Sequence, residues 1–397
     1  MGSDRVRRAP FPHPISCLVG ALLLAFFTLP AFAQSFYEAP ASDVPGKPGT
    51  LVRSQAMPGA PLNAAAWRVL YRSRSFDGKP ILVSGVVIVP QGAPPPGGRP
   101  IVAWAHPTSG IVPHCAPSLA IFIFQQIQGL RPLVARGDVV AATDYPGLGT
   151  PGPHPYLVGV SEARAVIDSV RVARTMPGAG GGTRFVVWGH SQGGQATLFT
   201  GMIAKKYAPE LTLVGVAAAA PATELSDLMN SDLGTAGGDN IIAMTLWSWQ
   251  RVFNAPMDKM VDPRALPAVN LLAQECVEGP VDLAVRRRTT RPLEEHFLKV
   301  KHPGDVEPWR SLLEKNTPST LPPDVPVFLA QGTNDPIIKP EVTQDYAAQL
   351  CKAGSKVRTL ALPNVGHGWA GRAAAPYAVE WMTARFAGEP APDDCGK

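Results

Sequence analysis

An α/β fold, with a mostly parallel sheet flanked by helices and interrupted by an inserted helical cap or lid, is predicted by three features of the 397-residue sequence. Short, continuously apolar runs alternate with helix-periodic stretches, as buried parallel strands and their crossover helices require. A Gly-rich turn carrying a serine sits between one such run and the next helical stretch. A stretch of roughly 100 residues lacks any core strand, a length at which an insertion usually has a role.

The amino terminus sets the compartment. Arg5, Arg7 and Arg8 precede an apolar run from about Ile15 to Phe27, followed by Ala31-Phe32-Ala33 and Gln34. Residues 1–33 therefore read as a signal peptide. Its apolar run falls short of the roughly 20 residues needed to span a bilayer, so no stable membrane anchor is expected. The mature chain would be secreted, to the periplasm or beyond, with 364 residues starting at Gln34. Losing three arginines and one aspartate lowers the net charge from +5 to +3. That charge is too weak and too dispersed for a nucleic-acid partner.

Residues 34–66, rich in Pro, Gly and Ala, predict an irregular N-terminal arm. Trp67 to Arg72 and Ile81 to Val89 predict an antiparallel pair turning at Asp77-Gly78. Core strands follow at Ile101 to Ala105, Val139 to Thr143, Phe185 to Trp188, Leu213 to Val216, Val325 to Ala330 and Val357 to Leu362. Helices are expected at Ser161 to Thr175, Gln192 to Lys206, Glu341 to Cys351 and Tyr377 to Phe386. The core thus comprises 67–222 and 321–397. Residues 223–320 form the cap, with helical stretches at Ile241 to Phe253, carrying Trp247 and Trp249, and at Leu266 to Leu272.

Phe185-Val186-Val187-Trp188 runs directly into Gly189-His190-Ser191-Gln192-Gly193-Gly194 and then a helix. A G-x-S-x-G pattern between strand and helix is the nucleophile elbow of the α/β-hydrolase fold, whose glycines avoid clashes with the neighbouring strand and helix. Serine needs a base and an orienting carboxylate, which in this fold follow in the order acid, then histidine. Asp335 lies just past the strand ending near Ala330, and His367 follows the next strand in a Gly-flanked loop expected to be flexible. His106, His114 and His154 precede the serine, His190 lies in the elbow, and His296 and His302 fall in the cap. The amides of Gln192 and of Thr108, in the loop after Ile101 to Ala105, the third predicted strand in chain order, are the expected oxyanion donors.

Gly178 to Gly182 precedes a strand instead of following one, the wrong side for a phosphate loop. The cysteines show no C-x-x-C and the histidines no H-E-x-x-H, so no metal is expected. Cys115, Cys276, Cys351 and Cys395 remain after export, and two disulfides are expected in one of three pairings.

Asp144-Tyr145-Pro146-Gly147-Leu148-Gly149, His154-Pro155-Tyr156-Leu157 and the GHSQGG elbow together resemble the secretory lipase family, which includes the fungal A-type lipases. The resemblance runs from about Arg53 to Phe386. It implies an α/β-hydrolase with a helical lid that cleaves acyl esters and glycerides without a cofactor, and it lands on Ser191, Asp335 and His367. It also implies the pairs Cys115–Cys276 and Cys351–Cys395. His190 departs from the tyrosine frequent at that position in the fungal enzymes, which leaves acyl-chain preference open. A small-molecule or lipid ester is the expected partner, with transient lipid-interface contact through the cap. Polyesterase, acyltransferase or peptidase chemistry on the same triad, or a non-catalytic lipid-binding envelope protein, are the rival readings.

Overall fold

The computed structural model describes residue 2, residues 36–277 and residues 291–396. The expected signal peptide, residues 1–33, lies outside the described residues apart from Gly2, as do cap residues 278–290. Two units are distinguished, Met1–Glu38 and Ala39–Lys397, and the second carries everything below.

Nine strands form one sheet: β1 Leu51–Met57, β2 Ala64–Arg74, β3 Pro80–Pro90, β4 Arg99–Ala105, β5 Val139–Thr143, β6 Gly181–His190, β7 Thr212–Ala219, β8 Val327–Gly332 and β9 Val357–Leu362. Their order is β1-β2-β3-β5-β4-β6-β7-β8-β9. The first three pair antiparallel with their neighbours, and β5 to β9 run parallel to β4 and to one another. The α/β-hydrolase class expected from the sequence is the observed one. Strand β1 falls inside the segment expected to be irregular. It is half exposed along its length and has no apolar run to announce it.

The central strands are apolar on both faces because both are covered. In β4, Ile101, Ala103 and Ala105 pack into one core while Val102 and Trp104 pack into another, the period-two alternation of a strand. The first core receives α2 Gly159–Thr175, α3 Gln192–Tyr207 and α8 Pro340–Lys352. The second receives α1 Leu130–Ala135 and α9 His367–Ala387. Each fully buried Val, Ile or Leu contributes about 1.5–3 kcal/mol, so these two layers hold the strand ends in place.

Helix α9 begins at His367, ten residues earlier than the expected Tyr377, and continues through Pro376. Proline costs that helix one backbone bond. Burial of Ala374, Ala375 and Ala378 against the sheet offsets it. The Gly366-His367-Gly368 stretch, expected to be a flexible loop, is therefore a helix N-terminus.

Between β7 and β8 the described residues form helices α4 Leu225–Ser231, α5 Ala236–Phe253, α6 Leu266–Leu272 and α7 Trp309–Asn316. A third core fastens this segment to the loops above the sheet, where Trp249 stacks on Trp309 with ring centroids 6.3 Å apart. Trp249 also donates its indole N–H to the carbonyl of Tyr156 at 2.8 Å.

Disulfides join Cys115 to Cys276 and Cys351 to Cys395, the pairing the family resemblance implies. The first closes a loop of 161 residues and ties the segment after β4 to the helical insertion. Chain-entropy reasoning assigns such a loop about 5 kcal/mol. Replacing both Cys115 and Cys276 by serine should therefore lower the urea midpoint strongly while leaving the Cys351–Cys395 pair intact; an unchanged midpoint would show the insertion is held without it.

Candidate active site

Ser191 stands at the turn between β6 and α3 with φ 56° and ψ −119°, a backbone region that non-glycine residues seldom occupy. The surroundings enforce it. The Ser191 amide donates to the Ala219 carbonyl on β7 at 3.0 Å, and its own carbonyl accepts the first helical bond, from Gln195, at 3.0 Å. A Cβ on Gly189 would lie 2.4 Å from the Gly193 carbonyl oxygen, so the strand and helix meet at glycine-only distance.

Asp335 lies three residues beyond β8, and His367 opens α9 after β9. The two loops are bonded to each other: the Thr333 amide donates to the Leu362 carbonyl and the Asn334 amide to that of Val365. A Cβ on Gly332 would come within 2.2 Å of the Val365 oxygen. The result is a continuous chain of bonds. The Ser191 hydroxyl donates to His367 Nε2 at 2.8 Å, and His367 Nδ1–H donates to Asp335 Oδ2 at 2.8 Å.

Asp335 is buried and accepts the amides of Ile337 and Ile338 on Oδ1, each at 2.9 Å, and Gln331 Nε2 on Oδ2 at 3.1 Å. Burial alone would raise its carboxyl. The hydrogen bond and charge of His367, with the two amides, outweigh burial and hold it below the ordinary carboxylate range. Asp335 therefore stays ionised.

The elbow residues on either side of Ser191 have buried roles that sequence reasoning did not find. His190 donates Nε2–H to the backbone carbonyl of His367 at 2.9 Å, and burial drives its pKa down to about 3, so it remains neutral. It positions His367 through the main chain. Gln192 donates both hydrogens of its Nε2, one to His154 Nε2 at 3.0 Å and one to Glu162 Oε1 at 2.8 Å. His154 can accept because its Nδ1–H is committed to the Pro146 carbonyl at 2.8 Å. The DYPGLG and HPYL segments thus lock the first residue of α3.

The same segments support the loop after β4 that carries Thr108. Tyr145, at φ 66°, donates its hydroxyl to the His106 carbonyl at 3.2 Å. Asp144 ties β3 to the turn at 117–119 by accepting Ser84 Oγ–H at 2.6 Å and the Ser118 amide at 2.8 Å. Half-buried Thr108 shares a 2.9 Å hydroxyl bond with Tyr156. A Cβ on Gly193 would lie 2.7 Å from the His106 oxygen, so this loop and the N-terminus of α3 are in direct contact. The loop follows the fourth strand in chain order, one later than expected, because β1 precedes it.

Glu162 makes this support sensitive to pH. Burial pushes its carboxyl up to about 8, although Gln192 Nε2 and the Leu157 amide both donate to it. In the unfolded chain it would release its proton near pH 4.3. Between those values the folded protein binds more protons than the unfolded one, so this group makes stability fall as pH rises, by about 1.4 kcal/mol per unit. Glu162→Gln keeps the acceptor without the titration. Its urea midpoint should gain on the wild type from pH 5 to pH 8, and parallel pH dependences would refute the reading.

A cavity of about 40 Å³ adjoins Ser191 and Gln192 and is closed by residues of α4, α5 and α7 with Ile337 and Ile338. A far larger groove of about 1610 Å³ starts at Thr108, Gly368 and Trp369 and runs past α1 and α9. Among the described residues, no helix is long and apolar enough to cross a membrane.

Comparison with known proteins places the chain in a family. The family profile described as "Secretory lipase" matches residues 116–394. Lipase 6 of Candida albicans is 24% identical over 95% of this chain and 86% of its own. Among solved structures, Candida antarctica lipase A superposes with a TM-score of 0.75 at 16% identity, covering 91% of this chain and 87% of that one. The rice cell wall degrading esterase LipA of Xanthomonas oryzae superposes at 0.69 with 21% identity, covering 86% and 97%.

Proposed function

The chain belongs to the secretory lipase family and is a carboxylic-ester hydrolase of the lipase and esterase type, and we propose that Ser191, His367 and Asp335 are its catalytic triad. The observation that carries this assignment is the unbroken hydrogen-bond chain Ser191–His367–Asp335 at 2.8 Å per link. Ser191 Oγ attacks the ester carbonyl as its proton passes to His367 Nε2. Ionised Asp335 holds the imidazole tautomer and stabilises the imidazolium. The amides of Gln192 and Thr108 take the oxyanion, and the proton on Nε2 goes to the departing alcohol. Water then repeats the sequence on the acyl-serine.

Lipid esters are the substrate class of the family, and the helices described between β7 and β8 act as the lid that meets a lipid interface. Export follows cleavage after Ala33. A fluorophosphonate probe tests both proposals in one sample, because only an activated serine reacts fast with it. Peptide mapping of the exported, labelled protein should find the adduct on Ser191 and a mature N-terminus at Gln34. An unlabelled Ser191 would leave a binding protein as the better reading.

A further inference from the structure

The cavity beside Ser191 has two properties that ester hydrolysis as such does not require: it is small, and one carboxyl sits among its aliphatic walls. A water occupies about 10–15 Å³ by the same measure, so 40 Å³ accommodates only a few heavy atoms beyond the carbonyl. Leu228, Met229, Ile241, Ile242, Leu313 and Ile338 make most of the lining, and Asp232 is its carboxyl.

Asp232 follows α4 directly and is 5% exposed. Its Oδ1 accepts the Ser231 hydroxyl at 3.0 Å, and among the described residues its Oδ2 has no hydrogen-bond partner. Backbone contact fixes the position: a Cβ on Gly238 would lie 2.1 Å from the Asp232 carbonyl oxygen and 2.5 Å from its Cβ. Burial raises the carboxyl to about 6, against the influence of Ser231, Lys339 and His367. A bound hydroxyl would give Oδ2 the donor that the described residues do not supply.

The acyl group is assigned to this cavity, which Ser191 and Gln192 line. The alcohol must leave next to His367 Nε2, which protonates it. The neighbours of His367, Gly368 and Trp369, border the large groove, which has room for a bulky alcohol.

On the reading of Ser191 as nucleophile, we infer that this cavity selects short acyl groups of about two to four carbons bearing a hydroxyl, with Asp232 accepting that hydroxyl. The preferred substrates are esters of short hydroxy acids. The experiment holds the alcohol constant and compares 4-nitrophenyl acetate, butyrate, 3-hydroxybutyrate and octanoate. The wild-type kcat/KM for 3-hydroxybutyrate should exceed that for butyrate by about tenfold or more, with octanoate slowest. Asp232→Leu should abolish that ratio and Asp232→Asn, which keeps an acceptor oxygen, should preserve part of it. A merely structural role would depress all four esters together and leave the ratio in place, which overturns the inference. Octanoate matching or exceeding butyrate would overturn it too, with the triad assignment intact. Failure to cleave any of the four, with no probe adduct on Ser191, would instead overturn the nucleophile assignment on which it rests.

Discussion

Ser191→Ala is expected to lose about five to six orders of magnitude in kcat towards simple esters, the scale on which triad serines fail elsewhere. The loss follows from geometry. His367 Nε2 lies 2.8 Å from the Ser191 oxygen, and without that oxygen no other described hydroxyl is bonded to the imidazole. The fold should survive, because the bonds that fix the elbow use the main chain of residue 191: its amide to Ala219 and its carbonyl to Gln195. Thermal unfolding within a degree or two of wild type, with activity at the limit of detection, is the expected pair of results. Activity within tenfold of wild type would reject Ser191 as the nucleophile. Residual activity from the oxyanion donors alone should be independent of His367, so adding His367→Ala should cost little more.

How much of this was legible in the sequence depends on how local the determining forces are. Buried parallel strands must be apolar along their whole length, so β5, buried throughout, could be bounded to the residue at Val139–Thr143. The elbow was legible because its glycines are required by backbone approach and lie within one segment. Strand β1 was not, since an edge strand with half-exposed residues leaves no pattern stronger than the loop around it. The start of helix α9 is hidden in sequence because Pro376 argues against helix locally, whereas the alanine face that retains it is set by the sheet. Glu162, His154 and Gln192 are unremarkable one at a time. Their meeting depends on α2, the HPYL loop and α3 converging, and only one polar atom at each of Gln192 and Glu162 is left unpaired. Asp232 is likewise an ordinary loop aspartate in sequence and a buried carboxyl lining the same cavity as Ser191 in space.

The second large effect should come from a single methyl group. Gly193→Ala would place a Cβ 1.9 Å from the Ala105 carbonyl oxygen, 2.5 Å from its carbon and 2.7 Å from the His106 oxygen. All three are main-chain atoms, so no side chain can rotate away. Relief requires α3 to back off from the end of β4. That motion separates the amide of Gln192 from the loop carrying Thr108 and pulls Ser191 from His367. Overpacking of this kind costs about 1–3 kcal/mol where side chains can yield, and main-chain atoms cannot. A destabilisation of about 3 kcal/mol or more is therefore expected, together with a fall of about a hundred- to a thousandfold in kcat in whatever fraction remains folded, the loss associated with one misplaced oxyanion donor. Urea unfolding and ester turnover on the same preparation separate the two effects. Because Gly193 carries no reacting atom, a Gly193→Ala protein with wild-type midpoint and rate would mean that the elbow tolerates this displacement and that the contact between α3 and the loop after β4 does not set the geometry of catalysis.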